Sequence, residues 1–270
     1  MDNIGKIGFV GGGNMAEAIL KGLLKGTLPV SRVMVADPSD ERRHLLKERY
    51  GVEAVIDNRE AVKACDLVVL AVKPQLVGEV LSGLAKAFSG SKLLISILAG
   101  VSTASLEEAF DGSPRVIRAM PNIPALVGEG ATAVCPGRYA STDDLLTARH
   151  LFEAVGTVEA VGEQQMDAVT GVSGSGPAYV FTVIEALADG GVQEGLPRDA
   201  ALALAVQTVL GAAHLVRESG EHPAVLRDRV CSPGGTTIAA VKVLEEKGLR
   251  SALMDAVSGA ARRSRELGER

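Results

Sequence analysis

Tryptophan is absent, and three tyrosines and five phenylalanines are the only aromatic residues in 270. The core therefore falls to Ala, Gly, Val and Leu, whose small side chains let helices approach helices and sheets closely, as in α/β or all-α packing. Cysteine is equally sparse. Cys65, Cys135 and Cys231 are odd in number, far apart and outside any C-x-x-C frame. That pattern suggests neither a disulfide framework nor a zinc site, no metal is expected, and a reducing cytoplasm fits. No excess of basic residues exists either: the net charge is −5, which removes any general attraction to nucleic acid or to an anionic membrane. Every long apolar stretch is interrupted by Gly, Gln or Glu, so none is expected to reach membrane-spanning length. No basic, apolar and small-residue leader opens the chain. A cytoplasmic protein with small-molecule partners is the expectation.

Hydrophobic residues at 47% and charged residues at 23% describe an ordinary globular composition, long enough for one large or two modest domains. Apolar runs near 6–10, 32–36, 66–72, 92–97, 115–119, 131–134 and 157–161 read as strands. Several are continuous Val/Ile/Leu stretches of the kind buried on both faces of a parallel sheet. Helical patterns at 14–25, 39–49, 59–64, 75–87, 103–110 and 142–154 lie between most of them, and the alternation signals a doubly wound sheet. Beyond residue 163 only helices follow, near 164–171, 176–194, 198–218, 222–230, 235–246 and 249–267. The predicted architecture is α/β: a Rossmann-type nucleotide domain over 1–162, then an all-helical domain over 163–270. Residues 199–216 are apolar almost all round, with Gln207 and His214 the main interruptions. A helix on the surface of a monomer shows a polar face, so this one is expected to pack against its copy in an intertwined homodimer.

The strongest chemical signal is a G-x-G-x-x-A frame on Gly11, Gly13 and Ala16, directly after the run Ile7–Val10. Gly11 lets the chain turn sharply out of a strand, Gly13 lets backbone approach a pyrophosphate, and Ala16 lets the helix pack close to the sheet. A second apolar run then ends in Asp37, near the spacing at which an acidic residue meets the ribose of a bound dinucleotide.

Four further segments concentrate Gly, Pro and hydroxyls where a core would have none. Ala71-Val72-Lys73-Pro74 leaves a strand at the sheet edge where α/β ligands bind, although a Pro-terminated loop with an exposed Lys reads the same way. Arg118-Ala119-Met120-Pro121-Asn122 also leaves a strand, and Asn122 could simply cap a turn. In Gly171 to Pro177, Ser175 is positioned to N-cap a helix, and the extra glycines leave amides that suit a substrate carboxylate. Ser232-Pro233-Gly234-Gly235-Thr236-Thr237 repeats that grammar. None of these helical-half segments contains a His, Lys or Tyr to move a proton to or from oxygen. A reductase acting on an iminium needs none, because the nitrogen already carries its proton and a hydroxyl such as that of Thr237 suffices to orient the N–H.

Taken together, the loop from Gly11 to Ala16, Ala71–Pro74, Met120-Pro121-Asn122, Gly171–Tyr179, Ala188-Asp189-Gly190-Gly191 with Gly195-Leu196-Pro197, and Ser232–Thr237 resemble pyrroline-5-carboxylate reductases. The resemblance runs from about residue 4 to 265. It implies reduction of 1-pyrroline-5-carboxylate to L-proline with NADPH or NADH, the last step of proline biosynthesis. It also implies a homodimer, with assembly into a larger ring such as a decamer left open. It puts the cofactor on Val10, Gly11, Gly12, Gly13, Asn14, Met15 and Ala16, on Asn58, on Ala71, Val72, Lys73 and Pro74, and around Leu98 and Ala99. The substrate carboxylate falls to Ser175 and Gly176 with Gly234, Gly235, Thr236 and Thr237, and its nitrogen to Thr237. Asp37 stands where many relatives carry a small or hydroxylated residue. A carboxylate there accepts bonds from NADH ribose hydroxyls and repels a 2′-phosphate, while Ser39, Arg42 and Arg43 are near enough to offset that, so the preference stays open.

Two other readings compete. A reductase of the β-hydroxy-acid type requires a catalytic Lys in the helical half, where Lys242 and Lys247 both lie outside the Gly/hydroxyl segments. A nucleotide-sensing regulator would keep the Gly loop and have no use for two anion-friendly helix starts.

Overall fold

A computed structural model describes residues 5–26 and 28–268, the Pro74 side chain excepted. The apolar runs form strands β1 (Ile7–Val10), β2 (Val33–Ala36), β3 (Glu53–Val55), β4 (Leu67–Leu70), β5 (Leu93–Ser96), β6 (Arg115–Met120), β7 (Gly130–Pro136) and β8 (Gly156–Ala160). They lie in one sheet in the order β3-β2-β1-β4-β5-β6-β7-β8. Helices α1 (Asn14–Lys25), α2 (Asp40–Tyr50), α3 (Asn58–Ala64), α4 (Val77–Leu84), α5 (Thr103–Glu107) and α6 (Thr142–Glu153) connect them. Every residue of β1, β2, β4 and β5 is buried, as their unbroken apolar composition requires for strands covered on both faces. Strand order reverses beside β1, which pairs in parallel with both β2 and β4. That reversal opens a crevice at the carboxyl ends of the strands.

Two features depart from the expected doubly wound pattern. β3 has only three residues and lies at the sheet edge, pairing with β2 alone; an alternation that short carries no periodicity to read. β7 runs antiparallel to β6. The chain leaving β6 has no crossover helix and turns back through a short 3-10 segment (Ile123–Val127) closed by Gly128 at φ +82°. Without a long crossover the next strand must reverse direction.

The residues divide into two compact units, one ending at Ser175 but including the chain from Gly259 onward, the other spanning Gly176–Ser258. The first unit thus extends past residue 162, where the composition changes. Residues 163–175 are helical, comprising a 3-10 turn (Glu163–Gln165), α7 (Met166–Val169) and a π turn (Thr170–Gly174). Tertiary contacts hold them to the sheet. Glu163 accepts from the buried Arg118 of β6 and, at 2.9 Å, from the Thr103 hydroxyl. Met166 is buried with Ala133 and Cys135. Helix α12 (Leu249–Gly268) contributes its last residues to the same unit, where the Ser264 hydroxyl donates to Asp167 at 2.6 Å.

In the second unit α8 (Gly176–Gln193) and α9 (Arg198–Ser219) pack through Ile184, Ala188, Ala201 and Ala205. α10 (Pro223–Arg229), α11 (Thr236–Glu246) and the start of α12 complete it. The expectation that no apolar stretch reaches membrane-spanning length needs correction. By length and composition α9 does reach it, with 22 residues and a mean hydropathy of 1.5 over an 18-residue stretch, because Gln207 and Gly211 are too few to lower the average. Within the single chain its apolar side chains find little cover: Leu204 is 58% and Leu215 54% exposed.

Candidate active site

The tightest point of the crevice lies where β1 ends. Gly11 has φ +96°, and a Cβ there would stand 2.5 Å from the carbonyl oxygen of Ala71, so only glycine fits. Backbone bonds close the same spot, Gly11 N–H to Ala36 O at 2.8 Å and Ala71 N–H to Val10 O at 2.8 Å. Val10 and Gly12 are buried beside it. Gly13, by contrast, is exposed and nothing lies within 4 Å of where its Cβ would be. It is the extended N-cap of α1 with no side chain over the helix end, leaving the first amides of α1 open to an anion. Asn14 is exposed, Met15 packs partly on the core and Ala16 is buried at 2%. The division between buried and open residues is the one a pyrophosphate cradle needs, and these residues fit a dinucleotide.

Asp37 closes the loop from the side of β2. Its Oδ2 accepts from Gly12 N–H and its Oδ1 from Ser39 N–H, each at 2.8 Å. Arg42 donates to Gly12 O and to the Glu17 carboxylate, which also accepts from Tyr50 Oη at 2.9 Å. Burial by itself would raise the Glu17 carboxyl, but the bonds from Tyr50, Arg42 and Arg49 outweigh it and hold the group below the usual carboxylate range. Glu17 is therefore an ionised partner for Arg42 at neutral pH.

The other residues expected to meet the cofactor lie in the same unit. Ala71 and Val72 follow β4 half-buried, Lys73 is exposed, and Pro74 opens a 3-10 turn (Pro74–Leu76), its side chain lying outside what is described. Leu98 and Ala99 follow β5, where Ile97 N–H donates to Leu70 O at 3.1 Å. Asn58 begins α3 and lines a polar cleft of about 290 Å³ with Asp57, Arg59 and Glu79.

Ser175 does not cap a helix as its sequence context suggests. Its backbone is right-handed helical, φ −89° and ψ −21°, and its N–H donates to Thr170 O at 2.8 Å. One helix-like path widens into a π turn and runs on into α8 at Gly176, so there is no extended residue to serve as cap. Such turns recur at functional sites. Asn122, whose sequence context fits either a site residue or a turn cap, is structural here. Its side chain is 8% exposed; Oδ1 accepts from Ala131 N–H at 2.8 Å and Nδ2 donates to Ser173 O at 3.0 Å. Asn122 thus ties the Met120-Pro121-Asn122 turn to the π turn, whose Gly174 also leaves room for Met120. The clue was available in its position before Ile123-Pro124, but only the fold brings residue 173 beside it.

In the second unit the segment Ser232–Gly235 makes a tight turn, with Gly235 N–H donating to Ser232 O at 3.0 Å. Gly234 has φ +68°, and a Cβ on Gly235 would collide with the Ser232 hydroxyl at 2.2 Å. Gly235 is the extended N-cap of α11 and no side chain covers the helix end. Thr236 is exposed and Thr237 half-buried in that first turn, so amides and a hydroxyl converge where an anion is favoured.

The model described as "Pyrroline-5-carboxylate reductase dimerisation" matches residues 163–267, and one described as "NADP oxidoreductase coenzyme F420-dependent" matches residues 6–100. A pyrroline-5-carboxylate reductase from Synechocystis is 51% identical over 266 residues, 98% of this chain and 99% of that protein. This chain belongs to the pyrroline-5-carboxylate reductase family. Solved pyrroline-5-carboxylate reductases share the fold over nearly the whole chain. The one from Coxiella burnetii has a TM-score of 0.93 at 39% identity, covering 98% of this chain and 99% of that one. The Plasmodium falciparum pyrroline carboxylate reductase, solved with NADP bound, has a TM-score of 0.88 at 34% identity over 99% of each. The expected nucleotide domain and helical dimerisation domain are those of a pyrroline-5-carboxylate reductase.

Replacing Asn122 by Ala leaves Ser173 O and Ala131 N–H without their partner, and is expected to cost about 1–3 kcal/mol of stability. Urea unfolding of Asn122→Ala beside the parent chain measures it, and a midpoint that does not move would remove Asn122 as the tie.

Proposed function

We propose that this chain reduces 1-pyrroline-5-carboxylate to L-proline with NADPH or NADH, completing proline biosynthesis. The observation that carries the reading is the pairing, in one family member, of a pyrophosphate cradle that only glycine fits at Gly11 with a hydroxyl-bearing helix start whose segment, Ser232–Thr237, contains no His, Lys or Tyr. A reduced nicotinamide, when bound, supplies the hydride for the C=N carbon. Val10 to Ala16 hold the dinucleotide, with Asn58, Ala71 to Pro74, Leu98 and Ala99 along its length. Ser175 and Gly176, with Gly234 to Thr237, bind the substrate carboxylate through backbone amides and hydroxyls. The Thr237 hydroxyl accepts from the substrate iminium N–H and fixes the face of the ring. Because the iminium nitrogen brings its own proton, no residue has to donate one as hydride arrives, and the amine product takes its further proton from water. This accounts for the lack of a catalytic His, Lys or Tyr in those turns.

We place the protein in the cytoplasm, where Cys65, Cys135 and Cys231 remain unpaired. The exposed apolar side chains of α9 are covered by a second copy rather than by lipid, giving a homodimer that has no use for a membrane or a nucleic acid. Such dimers can assemble further into a ring such as a decamer. Domain roles divide at the change in composition, with cofactor held by 1–162, and substrate and partner by 163–270.

Thr237→Ala removes one bond to the reacting nitrogen. It is expected to lower kcat by about 1–3 kcal/mol of transition-state stabilisation, roughly five- to 150-fold, with the cofactor Kd unchanged. Steady-state kinetics and a cofactor titration on the same preparation separate the two, and full turnover in the variant would contradict the role. Sedimentation at micromolar concentration is expected to show a dimer or larger assembly; a stable monomer would contradict the covering of α9.

A further inference from the structure

The cofactor reading leaves open which nicotinamide nucleotide the loop selects, and the surroundings of Asp37 bear on it. The carboxylate at the end of β2 is held at both oxygens, by Gly12 N–H and by Ser39 N–H at 2.8 Å each. Swinging it away would break both bonds. A carboxylate has about four acceptor positions, so two remain for the ribose hydroxyls that an acidic residue at this place receives.

A 2′-phosphate would need the opposite environment. The two guanidinium groups that follow Asp37 are already committed. Arg42 is bonded to Gly12 O and to Glu17, with the Glu17 carboxylate only 13% exposed. Arg43 is 8% exposed, and its fork donates to Asp37 O at 2.8 Å, Pro38 O at 2.9 Å and Asp40 Oδ1 at 2.8 Å. Turning Arg42 toward a phosphate would give up its bonds to Gly12 O and Glu17, and turning Arg43 would give up its bonds to the Asp37 and Pro38 carbonyls. The charge that a phosphate would meet first is therefore the fixed negative one.

Resting on the dinucleotide site assigned above, we infer that Asp37, locked between Gly12 and Ser39 with Arg42 and Arg43 already paired, makes this chain select NADH over NADPH. The effect acts on binding and is visible without substrate. Titration of the parent chain with each nucleotide, read by fluorescence of the bound reduced nicotinamide, is expected to give a Kd for NADPH about tenfold or more above that for NADH. Asp37→Ser should bring the two to within about threefold of each other, and Glu17→Gln, which loosens Arg42 and leaves Asp37 in place, should tighten NADPH while leaving NADH unchanged. The second variant carries the test if the first fails to fold. Equal or tighter binding of NADPH by the parent chain would overturn the inference and leave the dinucleotide site standing. An unchanged ratio in folded Asp37→Ser would remove Asp37 as its cause. Binding of neither nucleotide would overturn both readings.

Discussion

The approach of the Gly11 backbone to Ala71, too close for any Cβ, is the constraint on which the cofactor half depends. It brings β1 out of the sheet at the point where strand order reverses, and it aims the start of α1 at open space. The buried residues to either side fix the loop; the exposed Gly13 and Asn14 face outward. A loop with that division of labour binds an anion through backbone, so its affinity depends on positions where the useful side chain is none. Asp37 extends the constraint to β2, since the same Gly12 amide that shapes the loop is held by its carboxylate.

A second set of ties organises the region leading toward α8. Asn122, Glu163 and Asp167 each join residues distant in sequence: the turn after β6 to the π turn, β6 to the start of the helical segment, and α7 to the end of α12. Each tie has its own partners, so removing one side of a pair strands only the groups bonded to it. Such ties explain why residues 163–175 fold with the sheet although their composition announces the helical half. The second unit shows the opposite economy. α8 and α9 meet through alanines, and the larger apolar side chains of α9 point outward, which suits a helix finished by another copy.

Much of this was legible in the residues. Unbroken runs such as Leu67–Leu70 and Leu93–Ser96 can be buried on both faces only in a parallel sheet, and the frame of Gly11, Gly13 and Ala16 stands where such a sheet binds nucleotides. What sequence could not supply came from distance or brevity. β3 is three residues long, too short for a period. The reversal of β7 depends on a loop that forgoes a crossover, and local apolar pattern does not encode direction. Ser175 looks like a cap because Gly-Ser-Gly-Pro usually breaks a helix; the contacts from Asn122 and Met120 hold the chain helical there instead. The commitment of Arg42 to Glu17 joins α2 to α1 across 25 residues, so proximity in sequence to Asp37 overstated its availability to a phosphate.

Whether a nicotinamide site and an imino-acid site belong to one catalyst is tested by the loss of reduced-nicotinamide absorbance with purified protein, offering 1-pyrroline-5-carboxylate in one assay and a 2-keto acid in another. Oxidation with the cyclic imine alone, with one L-proline formed per nicotinamide oxidised, is the predicted result. Turnover of the keto acid with none of the imine would contradict the account.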